Sequence, residues 1–145
     1  MTQVPGGDGA ALEVDTDLVE TIVVVVPDLA SLSSVAKGLV ELVTRGLVQI
    51  LDLLVVRRDA QDDTVEVLEV EEVAELAALL QVEGEVGGLL SARDADVAGV
   101  VLEPGTAGLL MLVEDRWARP LADAARRAGG HVIGGQRLPR ASVAR

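Results

Sequence analysis

From Thr21 the chain runs Ile22-Val23-Val24-Val25-Val26 before Pro27-Asp28 ends the run. An unbroken β-branched stretch of this kind predicts a strand covered on both faces. Leu32, Val35, Ala36, Leu39, Val40 and Val43 then recur at helical spacing. Asp28 or Ser31 is placed to cap that helix, and Gly46 to end it. Val48–Val56 reads as a second apolar strand, residues 57–64 as a polar turn, and Val65–Val70 as a third strand. In the third, Val65 and Val67 alternate with Glu66, whereas Leu68 and Val70 continue on the other phase, which predicts a bulge or a bent edge strand.

Glu71 and Glu72 lead into an Ala/Leu-rich helix through about Leu80, where acidic side chains suit the positive end of the helix dipole. Gly84, Gly87 and Gly88 interrupt the pattern. Ser91 caps a short helix to about Val97, Val100-Val101-Leu102 reads as a brief extra strand, and Glu103-Pro104-Gly105 as a turn. Gly108–Val113 is a fourth strand. Trp117, Leu121, Ala124, Ala125 and Ala128 form one helical face, with Pro120 in the first turn. Gly129-Gly130 closes that helix, and His131–Ile133 opens a fifth strand reaching Leu138.

Ile22–Leu51 and Leu109–Ile133 therefore repeat one unit: strand, acidic turn, helix, glycine, strand. Two β-α-β units in one small domain predict an α/β (α+β) fold with a ferredoxin-like sheet. The expected strand order is 5-1-4-2-3, with the third strand added as an edge hairpin and residues 81–105 as a helical insertion. Residues 1–17 are read as a disordered acidic arm, 18–138 as a single domain, and 139–145 as a short basic tail. Three strands are nearly apolar on both faces, but only one layer of long helices is evident. The other face must be covered by residues 72–100 or by a second subunit.

Charge sharpens this picture. Of 145 residues, 24 are acidic and 12 are Lys or Arg, for a net charge of −12, which argues against nucleic acid as a partner. Residues 1–115 hold 23 acidic and 5 basic side chains; residues 116–145 hold 7 basic and 1 acidic. Opposite fields steer association, so the basic end of one subunit is a match for the acidic part of another. No apolar run approaches the roughly 20 residues of a membrane helix. Residues 1–19 lack the positive start of a signal peptide, so a cytoplasmic protein is expected.

The chain has no Cys, one His (His131) and one aromatic residue, Trp117. Thiolate chemistry is excluded, and a zinc site lacks ligands. There is neither a phosphate-binding Gly-x-x-x-x-Gly-Lys loop nor a Gly-x-Ser-x-Gly nucleophile elbow. No catalytic residue and no cofactor are expected. Asp59, Asp62 and Asp63 gather carboxylates suited to a hard cation, but without the order of a calcium loop they read as a solvated turn and no metal site is assigned.

Four residues are candidates for ligand binding. Asp52 lies inside the apolar strand 48–56, where a carboxylate needs a partner or a raised pKa. An inter-subunit seam, or a bond to a nearby backbone group or an Arg, is the stronger reading. Asp28, Arg57 and Arg58 emerge at one edge of a β-α-β unit, where ligands of parallel sheets bind; an ordinary ion pair or a helix cap is the simpler reading. Trp117, flanked by Arg116 and Arg119, is an interface candidate because Trp is enriched at hot spots, although a helical face with Leu121 and Ala124 places it in the core.

Four segments carry a resemblance: Ile50-Leu51-Asp52-Leu53-Leu54, Leu102-Glu103-Pro104-Gly105, Trp117-Ala118, and Arg127-Ala128-Gly129-Gly130. In their order and spacing they resemble an uncharacterised actinobacterial family of small acidic proteins, over residues 18–138. That family is distantly similar to a wider bacterial family labelled as membrane proteins of unknown function. The resemblance implies the fold class and a bacterial source, and no activity or site residue. The stretch matching the wider family's apolar middle is Gly84–Leu90, too short to span a bilayer.

The residues together predict a non-enzymatic, self-associating protein with a structural, assembly or regulatory role, partnered by itself or by an unidentified protein. The alternative is a small-molecule or divalent-cation module using Asp52 or the Asp28/Arg57 edge.

Overall fold

In the computed structural model, which describes residues 13–83 and 87–137, the β-branched run forms β1 (Val19–Val26). Asp28 caps the short turn Leu29–Ser31 by accepting from the Ser31 N–H at 3.0 Å. That turn feeds α1 (Leu32–Thr44), which buries Leu32, Ala36 and Leu39 and ends before Gly46 at φ +72°. β2 (Gln49–Arg58) and β3 (Val65–Leu68) form a hairpin. Two short turns, Val70–Glu72 and Ala74–Leu76, precede α2 (Ala77–Glu83). α3 (Ala92–Val100), β4 (Ala107–Glu114), a turn at Arg116–Ala118 and α4 (Arg119–Arg127) complete the elements of the described residues.

The fold is α+β, with one four-stranded sheet in the order β1-β4-β2-β3 and every neighbouring pair antiparallel. β1 and β2 both oppose β4, so they run parallel, joined through α1 across the intervening strand. The inner order 1-4-2-3 matches expectation. The fifth strand does not: residues 131–137 form no strand, and β1 is an edge among the described residues. The second β-α-β unit, on which the ferredoxin-like expectation rested, therefore stops at its helix. Leu138 lies outside the described residues.

Three smaller expectations also change. The phase slip after Val67 is the end of β3 rather than a bulge: Val70 leaves the strand and is buried in the next turn. A register shift falls instead in β2, between Ile50 and Asp52. It aligns Ile50, Leu53 and Val55 on the α1 side and turns Asp52, Leu54 and Val56 to the other. Val100–Leu102 is no strand, because α3 runs on to Val100. Its start is fixed by a reciprocal cap in which the Ser91 hydroxyl accepts from Asp94 N–H and the Asp94 carboxylate accepts from Ser91 N–H.

The core lies mainly on the first sheet face, where α1, α2 and the turns at 70–76 pack over Leu53, Val55, Leu109, Met111 and Val113. The second face is covered by α3, whose Ala95 and Ala98, with Leu102, pack on Val56 and Leu110. This is the cover expected from residues 72–100, and it is incomplete. Asp96, Gly99 and Val100 share a small cleft with Val65 of β3, so that flank of α3 leans over the hairpin edge. Val97 and Val101 are 62% and 63% exposed, and α3 makes its main contacts with β2, β4 and β3 rather than with β1. On β1, Thr21, Val23 and Val25 stand opposite Leu112, Leu110 and Gly108, with Val25 49% exposed.

Leu109 is wholly buried on the first face of the central strand. Leu109→Ala is expected to destabilise the protein by about 2–5 kcal/mol, read as a lowered denaturation midpoint at unchanged slope.

Candidate functional site

Asp52 is buried, and the register shift in β2 is what aims it at α3. Its Oδ1 accepts from Leu53 N–H at 2.8 Å, and its Oδ2 from Leu89 and Leu90 N–H at 2.8 and 2.5 Å. Oδ1 is thus spent on its own strand and Oδ2 on pinning the segment that leads into Ser91 and α3. This answers the need of a buried carboxylate with backbone donors.

Asp28, Arg57 and Arg58 do share one end of the sheet, since Val26 and Arg57 both lie opposite Ala107. No hydrogen bond or ion pair joins Asp28 to either arginine among the described residues. Asp28 is taken up by the backbone and hydroxyl of Ser31. Arg57 pairs with Glu66, while Arg58 pairs with Asp63 at 2.7 Å and donates to the Leu102 carbonyl at 2.6 Å. These contacts tie the hairpin to the turn before β4. The hairpin carboxylates are likewise engaged: Asp59 accepts from Gln61 and Asp62 N–H, and Asp62 from Thr64. Among the described residues no cluster of His, Asp or Glu is arranged to hold a metal ion.

The opposite end of the sheet is richer. Glu114 closes β4 with no solvent exposure. Its Oε1 accepts from Arg116 Nε at 3.0 Å; its Oε2 accepts from Arg119 Nη2 at 2.6 Å and from Asp15 N–H at 2.9 Å. Arg116 also donates to Gln49, and Arg119 to the Glu13 carbonyl at 2.6 Å. Burial pushes the Glu114 carboxyl up, but the Asp15 amide and the two guanidinium groups outweigh it and hold it below the usual glutamate range. Arg126 adds pairs with Asp15 at 2.6 Å and Asp17 at 3.0 Å. The basic C-terminal segment thus meets acidic residues of its own chain. Residues 13–17, which composition assigns to the arm, are held in place by these bonds.

Arg116 and Arg119 accordingly serve Glu114 and are partly buried, whereas Trp117 is 61% exposed. The core reading of Trp117 is overturned. α4 buries Ala118 and Ala122 against Leu18, leaving Leu121 60% exposed beside the indole. A one-residue phase difference on a short helix decides this, because the small alanines allow close approach to Leu18.

Trp117 and Leu121 line a groove of about 560 Å³ between the start of β1, the end of β4 and residues 132–137. Glu20 and Asp115 both line it, on the paired ends of β1 and β4. Burial, then the adjacent Glu20, raises Asp115 to about 7; the Trp117 indole N–H and Arg137 act the other way. A like charge nearby disfavours the ionised form. Sequence reasoning placed neither Glu20 nor Asp115 in a site, since the pairing of Val19 with Glu114 that brings them together is a tertiary fact. His131 is exposed and takes no part.

Among the described residues, no helix is long and apolar enough to cross a membrane. Comparison with known proteins finds a family model described as a family of unknown function (DUF6325), matching residues 8–145. No curated protein and no solved structure matches.

Two outcomes follow from the buried carboxyls. Glu114→Gln is expected to destabilise by about 2–3 kcal/mol, less than for a fully buried pair because both arginines keep some solvent contact. Since Glu114 is lowered in the folded state, its contribution is complete above the ordinary glutamate range and is lost as pH falls through the lowered value, so the deficit narrows in acid. Asp115 is raised, so its effect has the opposite sign: stability falls as pH rises from the ordinary aspartate range to about 7. Asp115→Asn should remove that fall and melt higher than the native chain above pH 7, which thermal unfolding across this range measures.

Proposed function

We propose that this chain, which belongs to the DUF6325 family, is a non-enzymatic, self-associating protein with a structural, assembly or regulatory role, and that its partner is a second copy packed on the second sheet face. The observation that carries this reading is the apolar corner where α3 stops short of β1. Thr21, Val23, Val25 and Leu112 form the stretch of sheet that α3 leaves open, and Val97 and Val101 are exposed apolar side chains on and just after α3. None of the six is charged in a chain that is 25% charged.

Each copy carries both halves of a contact. One half is the open strip over β1 and the near side of β4, about 10 Å wide and so the breadth of a helix. The other is the outer side of α3 and the residue after it, where Val97 and Val101 are exposed. A two-fold rotation seats each such side on the other copy's strip, an isologous contact that closes on itself. A patch of this composition favours burial, because apolar area removed from water supplies most of the drive for association. The Arg-rich C-terminal segment supports the same choice of surface, since its pairs with Glu114, Asp15 and Asp17 are intramolecular and leave charge polarity little to do between copies.

Light scattering after size exclusion is expected to give the mass of a dimer. Copies of net charge −12 repel, so association should strengthen as salt screens them. Val25→Lys combined with Val97→Lys should yield a folded monomer. Both side chains are about half or more exposed, and the changes make the chain less negative, so added repulsion cannot explain the loss. A monomer at every salt and concentration, or a dimer indifferent to the double substitution, would sink this reading.

A further inference from the structure

We infer that the groove between β1, β4 and residues 132–137 is a binding site for a small organic cation with an apolar body, the cationic head held by Glu20 and Asp115 and the body laid against Trp117 and Leu121. The groove is distinct from the apolar corner proposed for self-association, since it opens at the end of the sheet beside α4.

Its shape and chemistry are matched to that ligand class. At about 560 Å³ it lies within the range of small-molecule sites. Its lining combines an exposed indole, Leu121 and Val132 with the carboxyl groups of Glu20 and Asp115. An indole face beside carboxylates attracts an ammonium twice, through the ring quadrupole and through charge. An anionic ligand meets two carboxyl groups there and gains nothing. A neutral one brings the carboxyls no charge to pair with.

Other charged groups around the pair set the terms of binding. Asp17, from the turn before β1, is occupied by Arg126. Arg137 lies within electrostatic reach of Asp115 and contributes the one guanidinium lining the groove among the described residues. It occupies, as a tethered cation, the role an incoming ligand takes over. Asp115, raised to about 7, is part protonated at neutrality; an arriving ammonium favours its ionised form, and the displaced proton leaves to solvent. Binding therefore releases a proton and tightens as pH rises.

Trp117 makes the test direct, because the chain has one Trp and no Tyr or Phe, so all aromatic emission comes from this groove. The probe is n-hexylammonium, compared with n-hexanol and n-hexanoate of equal chain length. The expected result is a saturable change in Trp117 emission with the ammonium alone. Its apparent affinity should be about tenfold tighter at about pH 8 than at about pH 6, the ratio of deprotonated pair at those values. Glu20→Gln, at an exposed position that leaves folding intact, should weaken the ammonium and flatten its pH profile. Equal responses to all three probes would reduce the groove to an apolar surface and overturn the inference. So would no saturable response to the ammonium, or an affinity untouched by pH and by Glu20→Gln.

Discussion

A central strand that must be dry on both faces governs this molecule. β4 is covered along almost its whole length, from Ala107 to Glu114, with only Leu112 partly open. It lies between β1 and β2, so its backbone is paired on both sides and its side chains need two layers of cover. α1 and α2 supply one layer in full. α3 supplies about half of the other. The apolar corner beside Val25 is the shortfall of that second layer, and the self-association proposed here is a consequence of geometry before it is a matter of biology.

The end of β4 imposes a second constraint. A strand that finishes in a wholly buried glutamate needs donors, and they come from three places: the amide of Asp15, Arg116 just past the strand, and Arg119 in the first turn of α4. Buried ion pairs repay their desolvation only when hydrogen bonding is complete, and this one is well supplied. The arrangement also explains why a chain with opposite charge at its two ends need not self-associate through charge. The N-terminal acids and the C-terminal arginines meet around Glu114. One residue further on, Asp115 has only the Trp117 indole and the more distant Arg137 to favour its charge, which burial and the neighbouring acid Glu20 outweigh. Adjacent carboxyls on one loop thus acquire opposite tendencies, one held ionised and the other held protonated to near neutrality, as pairs of titratable groups in divergent surroundings do at functional sites.

Much of the fold was legible in the residues. The run Ile22–Val26, the helical spacing of Leu32 to Val43, and the alternation around Val65 marked β1, α1 and the hairpin. Ser91 marked the start of α3, and the inner strand order followed from the β-α-β rule. The fifth strand was not formed, because Gly129-Gly130 and the residues after it offer an extended sequence without a paired edge to hold it. Asp52 was recognised as a buried carboxylate, and its partners, the amides of Leu89 and Leu90, come from a glycine-flanked segment with no periodicity to place it. Trp117 and Leu121 were legible as helical neighbours, but not as exposed ones, since Ala118 and Ala122 offer an equally good spacing.

By itself the sequence determined the local elements and the demand for cover on both sheet faces, because side-chain size, branching and period act over a few residues. It also determined the absence of thiol chemistry and the scale of the net charge. The tertiary structure alone decided which carboxyls are neighbours. Glu20 and Asp115 are 95 positions apart, and only antiparallel pairing of β1 with β4 brings them into one groove. Tertiary structure likewise decided which half of the second face stays open, since that depends on the direction in which α3 leans. Burial and electrostatic coupling are properties of distance in space, and the chain's pattern encodes distance only along itself.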